Sequence, residues 1–174
     1  MKMRLARCTT QARDLLTVAA VEGETFTVQV MAHVTGMSER VILHTLSQVL
    51  GQRHRLVREV DEIAIDGYYL YRYAFRHSLF QEYVLRQLSS GERKLLHGDV
   101  AAALEASFDE QWEQVAVQLA YHYSQSNDVG KAIRYAMQAG HQSQGSFAYS
   151  DATYWYEEAL RLLAFAPPTR GTDE

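Results

Sequence analysis

The sequence predicts a mainly α-helical protein that carries one β-hairpin in its first half. Three observations lead there. Apolar residues recur at helical spacing through most of the 174 positions. The period falls to two between positions 56 and 75, around Asp66-Gly67, the strongest short-range hairpin signal. From Glu92 onward no strand signal remains.

The first helix is expected over residues 12–22, where Leu15, Leu16, Val18, Ala19 and Val21 are apolar and Gly23 supplies a stop. A short second helix follows, with Thr27 as its cap and Gly36 at its end. The third begins at Ser38, repeats Ile42, Leu46, Val49 and Leu50 along one face, and stops at Gly51. Residues 56–65 are rich in β-branched side chains, and residues 69–75 alternate tyrosines and Phe75 against other residues, which predicts two paired strands. Ser78-x-x-Gln81 has the form of a capping box. The helix it would open carries Phe80, Val84 and Leu88 on one face and stops at Ser89-Ser90-Gly91. Leu96, Val100, Ala103 and Leu104 mark another helix, and residues 112–125 one more. After the turn at Asn127-Asp128, residues 129–146 and 151–165 give two further helices before Pro167-Pro168.

Three helices followed by a two-stranded hairpin is the order of a winged helix-turn-helix. In the second half Leu119, Ala120, Tyr123, Ala132 and Ala139 fall at tetratricopeptide spacings, with small residues where paired helices must approach closely. Ala132, Ala136 and Ala139 are echoed by Ala152, Tyr156 and Ala159 20 positions later. A regular array would repeat after about 34, so the repeat is irregular. The expected organisation is a winged-helix domain over 12–90, a TPR-like helical repeat region over 92–165 and a disordered tail over 166–174.

Composition narrows the function. The chain is 47% apolar, enough for one substantial core or two small ones. Its net charge of −4 is unevenly spread. Residues 1–91 hold 11 Lys and Arg against 9 Asp and Glu, a balance of +2, while residues 92–174 hold 6 against 12, a balance of −6. Neither half has the charge of a strong nucleic-acid binder. The single cysteine, Cys8, excludes an intrachain disulfide and suits a reducing compartment. No apolar run approaches the roughly 18–20 residues that span a bilayer, and Arg13 and Asp14 interrupt what would be a signal peptide. A cytoplasmic location, with no membrane contact, is expected.

Catalytic motifs are absent. No phosphate-binding Gly-x-x-x-x-Gly-Lys-Ser/Thr loop, no Gly-x-Gly-x-x-Gly and no Gly-x-Ser-x-Gly occurs, and Gly130-Lys131 stands alone among helices. Of seven histidines, His54 and His77 flank the hairpin, whereas His33, His44, His97, His122 and His141 fall on five different predicted helices. None forms a His-x-x-x-His pair, so scattered surface or hydrogen-bonded histidines are expected in place of a metal site. Cys8 lies at a terminus expected to fray, which argues against a Cys–His nucleophile. Tyr68, Tyr69, Tyr71 and Tyr73 fit either a stacking platform for bases or a hairpin packed on the third helix. Arg53, Arg55, Arg58, Arg72 and Arg76 could form a basic edge, but the third helix offers only Arg40, His44, Ser47 and Gln48 outward.

Several segments, in order, resemble a known family. They are Leu15-Leu16…Ala19-Ala20-Val21-x-Gly23-x-x-Phe26; Val34-Thr35-Gly36-Met37-Ser38-Glu39; Phe75-Arg76-His77-Ser78-Leu79-Phe80-Gln81-Glu82; and Leu96-His97 with Val100-Ala101-x-Ala103-Leu104-Glu105. Together they resemble the segment that follows the ATPase core in STAND-class signalling ATPases, including large LuxR-type transcriptional regulators and adenylate/guanylate cyclases with AAA-like modules. Leu119-Ala120-Tyr121-His122-Tyr123 and Lys131-Ala132-x-x-Tyr135-x-x-x-Ala139-Gly140 resemble the start of their TPR-like sensor. The resemblance covers about residues 12–165. It implies a winged helix that contacts the nucleotide-binding core and does not read DNA, and helical repeats that sense a protein or small-molecule inducer. The partners implied are an ATPase core, with its ATP or ADP, and an effector domain, neither of which this chain contains.

His77 gains a role only through that resemblance. It matches the position where related proteins carry a histidine that approaches the β-phosphate of ADP, although Ser78 stands where some carry an acidic residue or proline. The other reading is that His77 helps cap the following helix. The expectation is therefore a non-catalytic regulatory and protein-interaction module, with no cofactor bound by this chain itself. The alternative is a DNA-binding winged-helix transcriptional regulator with a helical dimerisation or ligand-binding domain. A small metalloenzyme rests on histidine count alone.

Overall fold

The computed structural model describes residues 7–65 and 67–165, apart from the side chain of Glu110. The chain is mainly helical with a small three-stranded antiparallel sheet. Helix α1 (Thr10–Glu22) is capped by Thr9, whose hydroxyl accepts from the Ala12 N–H at 3.2 Å. It buries Ala12, Leu15, Leu16, Val18, Ala19, Ala20 and Val21, a face too wide for a helix lying on the surface. Strand β1 (Thr25–Thr27) leads into α2 (Val28–Thr35), and α3 (Glu39–His44) follows. The sheet is completed by β2 (Val57–Ile65) and β3 (Tyr68–Phe75) in the order β1-β3-β2. The hairpin forms where the sequence places it. Gly67 takes φ +84° in its turn, and Asp66 lies outside the described residues.

The first half departs from expectation in four places. Strand β1 has no counterpart in the sequence reading, because three residues are too few to show a period. The third helix does not stop at Gly51. After His44 it widens into a π-helix (Thr45–Arg53), and Arg55, at φ +53°, ends it while the Leu56 N–H reaches back to the Leu50 carbonyl. Gly51 permits this close passage of the backbone: a Cβ there would sit 2.8 Å from the Leu46 carbonyl oxygen. Along β3 the tyrosines do not share one environment. Tyr73 and Phe75 flank Phe26 in the core, with ring centroids 6.4 and 5.3 Å away, Tyr71 is half-buried, and Tyr68 and Tyr69 stand in solvent. The fourth concerns helix α4 (Ser78–Leu85), which lacks the expected Ser78–Gln81 box because Ser78 is already its first helical residue. The Gln81 amide instead donates to the Ala20 carbonyl at 3.0 Å, tying α4 to α1.

The capping box lies eleven positions further on. Ser89 caps α5 (Ser90–Phe108): its hydroxyl accepts from the Glu92 N–H at 3.3 Å, and Glu92 Oε2 accepts from the Ser89 N–H at 2.9 Å. Ser89-Ser90-Gly91 thus opens a helix where the sequence reading had one close. The single helix expected over 112–125 is also split. Asp109, at φ +36°, ends α5, a 3₁₀ turn (Asp109–Val115) follows, and α6 runs only over Ala116–Ser124. Helices α7 (Val129–Gly145) and α8 (Tyr149–Phe165) complete the second half. They approach so closely at Gly140 that a Cβ there would sit 2.6 Å from the Tyr156 ring. The tail expected over 166–174 lies outside the described residues.

One apolar core runs through both halves, from Leu15, Phe26 and Leu46 to Val100, Leu119 and Ala139. Helix α5 joins them by packing on α1, α2 and α6. The second half is also held by a polar knot. Glu105 on α5 accepts from Tyr123 Oη at 2.7 Å and Lys131 Nζ at 2.8 Å through Oε2, and from Tyr135 Oη at 2.6 Å through Oε1. Tyr123 and Tyr135 stack at 5.3 Å, so carboxylate, rings and ammonium link α5, α6 and α7. Although burial pushes the Glu105 carboxyl up, hydrogen bonds from Lys131, Tyr135 and Tyr123 outweigh it and hold the group down at about 2.

Candidate functional site at the junction of the two halves

His77 occupies the N-cap position of α4 with extended backbone (φ −147°, ψ 131°) and makes no side-chain hydrogen bond to the helix. Its carbonyl accepts from the Phe80 N–H at 3.0 Å, and its ring lies 6.0 Å from that of Phe80. The imidazole is exposed beside Ser78 and Leu79, the latter 61% exposed. An anionic group brought there would meet an imidazole and the N–H end of a helix.

The other residues singled out in the sequence divide in the structure. Arg55, Arg58 and Arg76 border a shallow depression with Gln52 and Tyr73, and Arg76 Nε donates to the Val57 carbonyl at 3.1 Å. Arg72 is turned away from that group and is gripped by both carboxyl oxygens of Asp61. On α3 and its π continuation, Arg40, His44 and Gln48 are exposed and Ser47 is half-buried. Only two of the four tyrosines, Tyr68 and Tyr69, are free to stack on anything. Cys8 is not frayed but buried against the core, and burial pushes its thiol up, away from thiolate chemistry. Among the described residues no group of three His, Cys, Asp or Glu could hold a metal ion.

Two histidines that the sequence scatters are brought together. His97 on α5 and His122 on α6 are 4% and 2% exposed, with Nδ1 atoms 2.9 Å apart. Burial drives both below the ordinary histidine value: His97 to about 4, helped by Arg93, and His122 to about 3, helped by His97. Both are therefore neutral at pH 7. The His122 ring also hydrogen-bonds the Glu22 backbone. The only sequence signal was that each histidine falls on an apolar helix face, His97 with Val100, Ala101 and Leu104, and His122 with Leu119 and Tyr123.

The backbone that His122 meets belongs to the residue of greatest chemical interest. Glu22 ends α1, and its carboxyl accepts hydrogen bonds from the backbone and side chain of Thr27, which explains why Thr27 makes no cap bond to α2. Its other oxygen, Oε2, is shut off from solvent and has no hydrogen-bond partner. Burial outweighs the Thr27 bonds and raises the group to about 8. Glu22 and His122 line a cavity of about 160 Å³ between the sheet and the second-half helices. The sheet contributes Thr25, Ile63, Leu70 and Arg72, while Leu104, Phe108, Gln114, Val115 and Gln118 face them. The site thus combines a carboxyl group able to change charge near neutral pH, a fixed pair of neutral imidazoles, and a partly enclosed cavity. Sequence reading passed over Glu22 as the end of a helix. Comparison of the chain with protein-family models, curated proteins and solved structures finds no match.

Proposed function

We propose that the chain is a non-catalytic regulatory and protein-interaction module of a STAND-class signalling ATPase, of the large LuxR-type regulator or AAA-module cyclase kind. In this reading residues 12–90 form a winged-helix domain that controls the nucleotide state of an ATPase core. Residues 92–165 form a TPR-like sensor for a protein or small-molecule inducer. The core, its ATP or ADP and the effector domain lie outside this chain, and the whole works in the cytoplasm.

The observation that carries the reading is the order α1-β1-α2-α3-β2-β3, with a short strand between the first two helices joining the hairpin. Helices packed through buried Ala120, Ala132, Ala136, Ala139, Ala152 and Ala159 follow after α4 and α5. The exposure of His77 is what an ADP-phosphate contact supplied to another body requires. The purified chain is expected to hydrolyse no ATP, and robust turnover would overturn the reading. In the full-length parent, His77→Ala is expected to loosen ADP binding and raise basal signalling. Unchanged ADP affinity and output would remove the role of His77.

A DNA-reading winged helix draws on Arg40, His44 and Gln48 with the Arg55, Arg58 and Arg76 group nearby. Duplex binding that weakens steeply with salt would favour it, and no binding at low salt would dismiss it. The net charge of −4 works against it.

A further inference from the structure

We propose that the cavity at the junction of the two halves is a binding site for a small organic amine, its ammonium held by Glu22 and its apolar body held by the facing helices and sheet. The inference stands on this cavity and does not depend on the regulatory reading above.

The first support is an unmatched carboxyl oxygen. Glu22 Oε2 is buried without a hydrogen-bond partner, and Glu22 lines the cavity. Once Glu22 gives up its proton, Oε2 is a buried acceptor without a donor, which costs free energy, and a ligand's ammonium supplies that donor. Three of the neighbouring groups are already committed. Arg72 is committed to Asp61, Thr27 already serves the carboxyl, and His122 is engaged with His97 and the Glu22 backbone.

The second support is the chemistry of the walls. At a share of about 30 Å³ per water, 160 Å³ holds roughly five waters or one aromatic ring. Leu70, Leu104, Phe108 and Val115 line it, and water against them would lack polar partners. An alkyl or aryl body suits those walls, and Gln114 and Gln118 add amide groups at the helical side. A metal ion is the wrong cation here, because among the described residues Glu22 is the one acidic side chain lining the cavity.

The third support is charge. The groups facing Glu22 are Arg72 with its Asp61 from the sheet, and His122, with His97 and Arg93 behind it, from the helices. Arg72 is paired with Asp61 and both histidines are uncharged, so none of these groups holds the carboxylate as a free cation would. An ammonium that binds must displace the proton Glu22 holds at pH 7. Affinity should therefore rise about tenfold from pH 7 to pH 9 as that proton is lost, with nearly one proton released per amine bound at pH 7.

The test compares two probes of the same shape, 2-phenylethylammonium and 2-phenylethanol, on the full chain by NMR and calorimetry. The ammonium is expected to shift the amide signals of Thr25, Thr27 and Gln118, to bind at least tenfold more tightly than the alcohol, and to release a proton. Glu22→Gln is expected to erase the preference for the ammonium. Equal binding of the two probes, shifts that map elsewhere, or no binding of the ammonium at millimolar concentration would each overturn the site. If Glu22→Gln does not fold, the two probes and the pH dependence on the unaltered chain still decide.

Discussion

Two partly or wholly buried glutamates in this protein have opposite fates. Glu105 meets three donors and is held down at about 2, whereas Glu22 has donors only from Thr27, leaves Oε2 unmatched and is raised to about 8. Burial pushes both upward, and it prevails at the more enclosed Glu22, whereas at Glu105 three donors outweigh it. Where the donors are complete, the carboxylate stays charged and ties three helices together. Where they are incomplete, the group is neutral at pH 7 and borders a cavity. Glu105 therefore serves stability, and Glu22 is left available for recognition.

The comparison breaks most visibly if Glu105 is removed. Glu105→Ala strands Lys131, Tyr123 and Tyr135, and breaking a buried pair costs about 3–5 kcal/mol. The side chains of Glu105 and Lys131 are 30% and 41% exposed, so solvent screening reduces the expected loss to about 2 kcal/mol. A urea unfolding curve reads this directly, and a midpoint shift close to zero would mean that the knot is ornamental. Gly140→Ala attacks the same half without touching charge. Its Cβ meets the Tyr156 ring at 2.6 Å, and the expected cost is about 1–2 kcal/mol by the same measurement.

The pH dependence separates the two groups more finely. His97 and His122 are depressed from 6.5, so the stability they favour is full above about pH 6.5 and is lost as pH falls towards about 4 and 3. Glu22 is raised from 4.5 to about 8, so its contribution runs the other way and is lost as pH rises through that window. Between 4.5 and 6.5 two histidines oppose one glutamate. Thermal midpoints should therefore peak near pH 6.5 and decline to pH 8 by the equivalent of roughly 1–2 kcal/mol. Glu22→Gln is expected to flatten that alkaline limb while leaving the acid limb in place. The smallest effect is Tyr135→Phe, which removes one of the three donors to Glu105. It should cost about 1 kcal/mol, and a 13C titration should show the Glu105 midpoint rise.

Much of the helical framework was legible because period and turn chemistry are local. Apolar faces placed α1, α2, α4, α7 and α8 to within a few residues, and Gly67 marked the hairpin turn. The errors came where tertiary contacts overrule local signals. Ser78 and Ser89 carry the same cap pattern, yet only Ser89 forms a box, because Gln81 is drawn to Ala20 of α1. Gly51 looked like a stop but makes room for a π-turn that Arg55 ends. The junction was not legible at all. His97 and His122 are 25 positions apart, and Glu22 is 100 positions from His122. Nothing local pairs them; they meet because α5 packs on both α1 and α6.

The account turns on the claim that burial prevails at Glu22 and hydrogen-bond donors prevail at Glu105. Titrating their side-chain carboxyl carbons by NMR in one sample tests it most directly. Glu105 is expected to titrate at about 2 and Glu22 at about 8. A Glu22 midpoint near 4.5, among the ordinary carboxylates, would contradict it.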